Sequence, residues 1–114
     1  MGSRGRAWRV SVKEVEFVIP LGPDDRYRHY HLRSGKEVLE FSIQYETFCK
    51  EKWSPVVRYD TAHGYTHRDI VNPSGEISKT PLFTLDYNDA LTFAESDIKI
   101  NREIYKKRFL GSFQ

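Results

Sequence analysis

Between Val38 and Cys49 the chain alternates residue by residue. Leu39, Phe41, Ile43, Tyr45, Thr47 and Cys49 fall on one side, and Glu40, Ser42, Gln44 and Glu46 on the other. A period of two predicts an antiparallel strand with one face buried and one facing polar surroundings. Upstream, Trp8 to Ile19 is also strand-like, but its apolar parity moves from Val10 and Val12 to Val15, Phe17 and Ile19. Such a one-residue slip predicts a bulge near Lys13 and Glu14. Pro20 to Asp25 reads as a turn, Tyr27 to Arg33 as a second strand, and Ser34-Gly35-Lys36 as a hairpin turn.

Beyond Cys49 the pattern is shorter-ranged. Pro55 heads a run from Val56 to Asp60, Thr61 to Gly64 turns the chain, and Tyr65 to Val71 returns as the other arm of a hairpin. Asn72 to Gly75 is a further turn, and Ile77 to Leu85 is weakly strand-like, with Pro81 favouring an edge. The period then lengthens. Tyr87, Ala90, Leu91, Ala94, Ile98, Asn101, Tyr105 and Phe109 trace one face of a helix. Asp86 is suited to cap the helix by accepting a free backbone amide. Asp89 near its start and Lys106, Lys107 and Arg108 near its end match the helix dipole.

These elements predict an α+β domain, an antiparallel sheet of four to five strands with one long C-terminal helix packed across it. Its 114 residues suit a single domain, with residues 1–6 expected to be flexible. Charged residues make up 30% of the chain, which gives such a domain a well-solvated surface. No apolar run is long enough to span a bilayer, so no membrane contact is expected and a cytoplasmic location is the default. The lone Cys49 can form no internal disulfide and reads as a buried small hydrophobe in a reducing compartment.

A net charge of +2 is too small for a general nucleic-acid coat, so any such contact must come from local clusters. The densest chemistry is Arg58-Tyr-Asp-Thr-Ala-His-Gly-Tyr-Thr-His-Arg-Asp69. In a hairpin, Arg58 and Asp60 share a face, and so do Tyr65, His67 and Asp69, with Arg68 opposite. Three uses of these residues compete. They can be the solvated face of a hairpin, with Arg–Asp pairs of little energetic value. They can perform acid–base chemistry on a phosphodiester, with Arg58, Asp60, His63 and His67 as the catalytic set and histidines moving protons near neutral pH. Or His29, His31, His67 and Asp69 can ligate a transition ion if their strands meet. Nothing in the sequence joins those two pairs, so no metal or other cofactor is expected. Arg26, Arg28, Tyr30 and Arg68 are the candidate contacts for single-stranded RNA, because cations interleaved with aromatics suit phosphates and stacked bases.

Arg58-Tyr-Asp-x-Ala-His63 followed by His67 resembles the signature of small prokaryotic proteins of unknown function. More distantly, over Val38 through the C-terminal helix, the chain resembles the TumE-type toxins of toxin–antitoxin pairs. That resemblance implies a toxin-like protein acting on RNA through Arg58, Asp60, His63 and His67, with a protein antitoxin as partner. The alternative is a non-catalytic module that binds protein or RNA.

Overall fold

A computed structural model describes residues 11–83 and 85–113. The residues expected to be flexible, 1–6, lie outside that range, as do Trp8 and Val10. The described chain forms six strands in chain order: β1 (Val12–Gly22), β2 (Asp25–Ser34), β3 (Glu37–Cys49), β4 (Lys52–Asp60), β5 (His67–Val71) and β6 (Ile77–Pro81). The helix α1 (Tyr87–Gly111) follows. Each strand pairs antiparallel with its neighbours in sequence, so the sheet is a six-stranded meander. The expected four to five strands are therefore too few. The weak Ile77 run does pair, along β5, because an edge strand needs only one hydrogen-bonded neighbour.

The helix begins where Asp86 caps it, with the carboxylate accepting from the Asp89 amide at 2.8 Å. Its apolar stripe lies chiefly over β3 and β4. Ala90, Ala94 and Ile98 are wholly buried there with Phe41, Ile43, Tyr45, Val57 and Tyr59. The register places Tyr27, Tyr45, Val57 and Ile70 in one row across the sheet, and His29, Ile43, Tyr59 and Arg68 in the next. Both rows belong to the helix-covered face.

Several local expectations are corrected. β1 pairs regularly with β2 from Val12 to Pro20, so there is no bulge at Lys13 and Glu14. Val12 simply points away from the helix, and the irregularity falls at Pro20/Gly22. The register shift between Leu32 and Arg33 leaves Leu39 out of the pairing, and it is 38% exposed rather than core. A second shift, between Tyr45 and Glu46, skips Val56 and lets consecutive Val56 and Val57 both be buried. Cys49 is half-buried at the end of β3, next to the turn. No helix among the described residues is long and apolar enough to cross a membrane.

Candidate functional site

The face turned away from α1 is polar, and its side chains bury one another. Cross-strand pairing aligns Arg28, Gln44, Arg58, Asp69 and Lys79 in one row, and Glu16, Tyr30, Ser42, Asp60 and His67 in the next. The parity read within each arm holds, Arg58 with Asp60 and His67 with Asp69 opposite Arg68, and the β4–β5 register brings the two pairs onto this one face.

His67 is the centre of the cluster and is only 1% exposed. Its Nδ1 lies 3.0 Å from Asp69 Oδ1, where an N–H donates to the carboxylate. Its Nε2 lies 2.8 Å from Asp60 Oδ1, but off the N–H axis, so this is an electrostatic contact without hydrogen-bond geometry. Arg58 ties the two acids together, with Nε 3.3 Å from Asp60 Oδ2 and Nη2 3.2 Å from Asp69 Oδ2. Lys79 Nζ stands 3.4 Å from Asp69 Oδ1. Burial opposes the charged form of Asp69, but hydrogen bonds from Arg58 and His67, with Lys79 nearby, outweigh it and hold its pKa below the usual carboxylate value.

The connection over this cluster is pinned at both ends. Thr61 N–H donates to Phe41 O and Thr61 Oγ1 accepts from the Phe41 amide, while Leu82 N–H donates to Thr66 O. Asp60 also accepts from the Ala62 amide, and Gly64 turns the chain at φ +84°, a conformation that favours glycine. His63 is exposed on this loop, and its ring lies nearly parallel to that of His67 at 5.5 Å. Tyr65 packs beside both rings, 5.8 Å from His67 and 6.4 Å from His63. The four residues of the expected catalytic set are thus neighbours, but only His63 is open to solvent.

Farther along the same face, Glu46 is buried, although the alternating pattern placed it among solvated residues. Arg26 Nε reaches it at 2.6 Å, Arg28 Nε at 3.0 Å and Gln44 Nε2 at 2.5 Å. Arg26 also lies over the Trp53 ring, 4.0 Å from its centroid. Arg28 and Tyr30 line a groove of about 410 Å³ together with Glu16, Val18, Ser42 and Gln44. The Tyr30 hydroxyl donates to Glu40 at 2.9 Å and reaches Glu14 at 3.3 Å, and its pKa is pushed up to about 12, first by the Glu40 hydrogen bond. Three of the four expected RNA contacts, Arg26, Arg28 and Tyr30, therefore share this face. Arg68 does not, because it sits one residue out of phase on β5.

This geometry bears on metal binding as well. His29 and His31 lie on the helix-covered side, with His29 Nε2 2.6 Å from His31 Nδ1, so the strands do not bring them to His67 and Asp69. Asp60, His67 and Asp69 each offer an atom within 4.8 Å of the others. Those carboxylates already face Arg58, and Lys79 also faces Asp69, so a cation would have to displace positive groups to enter. The residues do not fit a resident metal. Gln44, Glu46 and Lys79 are the members of this network that sequence reasoning missed. The only trace of them in the sequence was their position on the polar parity of β3 and β6.

A family model for a domain of unknown function, DUF7718, matches residues 12–113, which takes in every strand and the helix. The chain belongs to the DUF7718 family. No curated protein and no solved structure gives a match.

Proposed function

We propose that this DUF7718 domain is a non-catalytic binding module whose helix-free sheet face receives a protein partner. The observation that carries this reading is the state of His67. A general acid or base must come within hydrogen-bond reach of its substrate. Here the imidazole is 1% exposed, held between Asp60 and Asp69, while the groove on this face is lined by Arg28, Tyr30, Ser42 and Gln44 and not by His67.

Charge separates the possible partners. Arg26 and Arg28 share Glu46, Arg58 is engaged by Asp60 and Asp69, and Lys79 faces Asp69. Glu16 lines the groove, and Glu14 and Glu40 hold the hydroxyl of its Tyr30. A phosphate backbone needs unpaired cations and would meet carboxylates here. A polypeptide segment that offers a lysine or arginine to these carboxylates and polar groups to Ser42 and Gln44 fits better. A protein antitoxin would be one such partner. A second reading, a toxin acting on RNA through Arg58, Asp60, His63 and His67, is favoured by the exposed His63 ring lying against His67.

The test uses the purified chain, fluorescent short peptides with two or more basic residues, and a labelled single-stranded RNA. Anisotropy should report binding of basic peptides that weakens at least about tenfold in Glu16→Lys and Ser42→Arg, on the scale of about 1.4 kcal/mol per decade. The RNA should remain unbound and intact. RNA cleavage by the wild type that is lost in His63→Ala would replace this reading with the toxin reading. Peptide binding unaffected by both groove variants would remove the groove as the site.

A further inference from the structure

Arg68 differs from Arg26, Arg28 and Arg58 in its partners. On the helix-covered face it lies across from Tyr59 on β4 and Thr80 on β6. Arg26, Arg28 and Arg58 all have carboxylate partners, but among the described residues no carboxylate lies within ion-pair distance of Arg68. Its Nη1 makes one long hydrogen bond, 3.4 Å to the Tyr105 hydroxyl. Its Nε is buried and has no partner.

The nearby carboxylate is already committed. Asp97 Oδ2 accepts from both Tyr59 and Tyr105, and Oδ1 accepts from Asn101 Nδ2 at 2.7 Å. The tyrosines have spent their protons on Asp97, so they present only lone pairs to the guanidinium. α1 lies chiefly over β3 and β4, so Arg68 on β5 stands beside the helix and is only partly buried. Phe93, which packs against Tyr59, is 45% exposed. A guanidinium offers five N–H donors in a planar fork matched to two oxygens of one anion. Burial opposes the charged guanidinium, but the neighbouring Tyr105 and Tyr59 outweigh it and hold its pKa above the usual value, so Arg68 stays a cation with donors left over.

We propose that Arg68 is the seat of an oxyanion-binding site on β5 beside α1, taking a carboxylate or phosphate group through its guanidinium. The site is independent of the groove on the opposite face, so it stands or falls separately from the protein-partner reading. Both anions present paired oxygens, and the experiment distinguishes them.

Uniformly ¹⁵N-labelled protein is titrated with sodium phosphate, with sodium acetate, and with sodium chloride at matched ionic strength. The Nε–H resonance of Arg68 is followed alongside the backbone amides of Asp97 and Tyr105. Phosphate, acetate or both should give a saturable shift in the millimolar range that chloride does not. Whichever oxyanion saturates identifies the preferred group. The shift should vanish in Arg68→Gln and weaken several-fold in Arg68→Lys, because an ammonium cannot present the fork. Tyr105→Phe removes the hydroxyl that occupies Nη1, keeps the guanidinium, and should tighten binding. A response to either oxyanion that is unsaturable or matched by chloride overturns the proposal. So does a saturable shift that persists in Arg68→Gln, and so does weaker binding in Tyr105→Phe.

Discussion

His29 should be a principal source of acid sensitivity. Its ring is 4% exposed and stacks on Phe17 at 4.3 Å, nearly parallel. Nε2 faces His31 Nδ1, while Nδ1 is buried without a partner. A proton added here would be charged, poorly solvated and close to His31, and Lys13 and Arg33 add positive charge around His31 itself. Burial first, and then His31, lowers the His29 pKa from 6.5 to about 4. The unfolded chain therefore binds more protons than the folded one between those values. The stability contributed by neutral His29 is fully present above pH 6.5 and is lost as pH falls toward about 4. At about 1.36 kcal/mol per pH unit, the gap corresponds to about 3 kcal/mol. His29→Phe keeps a ring against Phe17 and removes the titration. Urea unfolding of both proteins at pH 7.0 and near pH 4 should show a wild-type loss about 3 kcal/mol larger than that of the variant. His31, whose pKa burial also lowers, acts in the same window, Asp25 and Asp69, whose pKa values are lowered from 3.8, act mainly below it, and all three are common to both proteins. Equal losses in the two proteins would refute the reasoning.

His63→Ala should leave the urea midpoint nearly unchanged, whereas His67→Ala should destabilise by roughly 2–4 kcal/mol, because it leaves buried Asp69 and half-buried Asp60 beside an empty ring site. Equal midpoints for these two variants would show that the carboxylates do not depend on the imidazole. Ile98→Ala should lower stability by roughly 2–5 kcal/mol, since its side chain is fully enclosed between helix and sheet, and an unchanged midpoint would place the core elsewhere. The β3–β4 turn holds Lys50 at φ +52° and Glu51 at φ +66°, so Lys50→Asn with Glu51→Gly should raise stability by roughly 1 kcal/mol, read as a higher melting temperature. A lower melting temperature would mean that the Lys50 ammonium, 4.1 Å from the Phe113 ring centroid, contributes more than the backbone strain removes.

The helix and the central strands were legible in the sequence because each rests on a repeat that chain geometry imposes. Ala90, Leu91, Ala94 and Ile98 recur at the spacing of a helical turn, and Phe41, Ile43, Tyr45 and Thr47 alternate as a pleated strand requires. Parity also paired Arg58 with Asp60, and set His67 and Asp69 apart from Arg68, before any contact was known. Register was not legible. Whether Leu39 or Val56 slips out of the pairing depends on how three strands match lengths at once, and no local pattern records that. The mutual burial of Glu46, Asp69 and His67 was hidden for the same reason. A polar residue on the outer parity reads as solvated until strands side by side bring Arg26, Arg28 and Arg58 over the acids. Composition placed these charges in the chain; only the folded sheet determined which of them neutralise one another and left Arg68 without an acid.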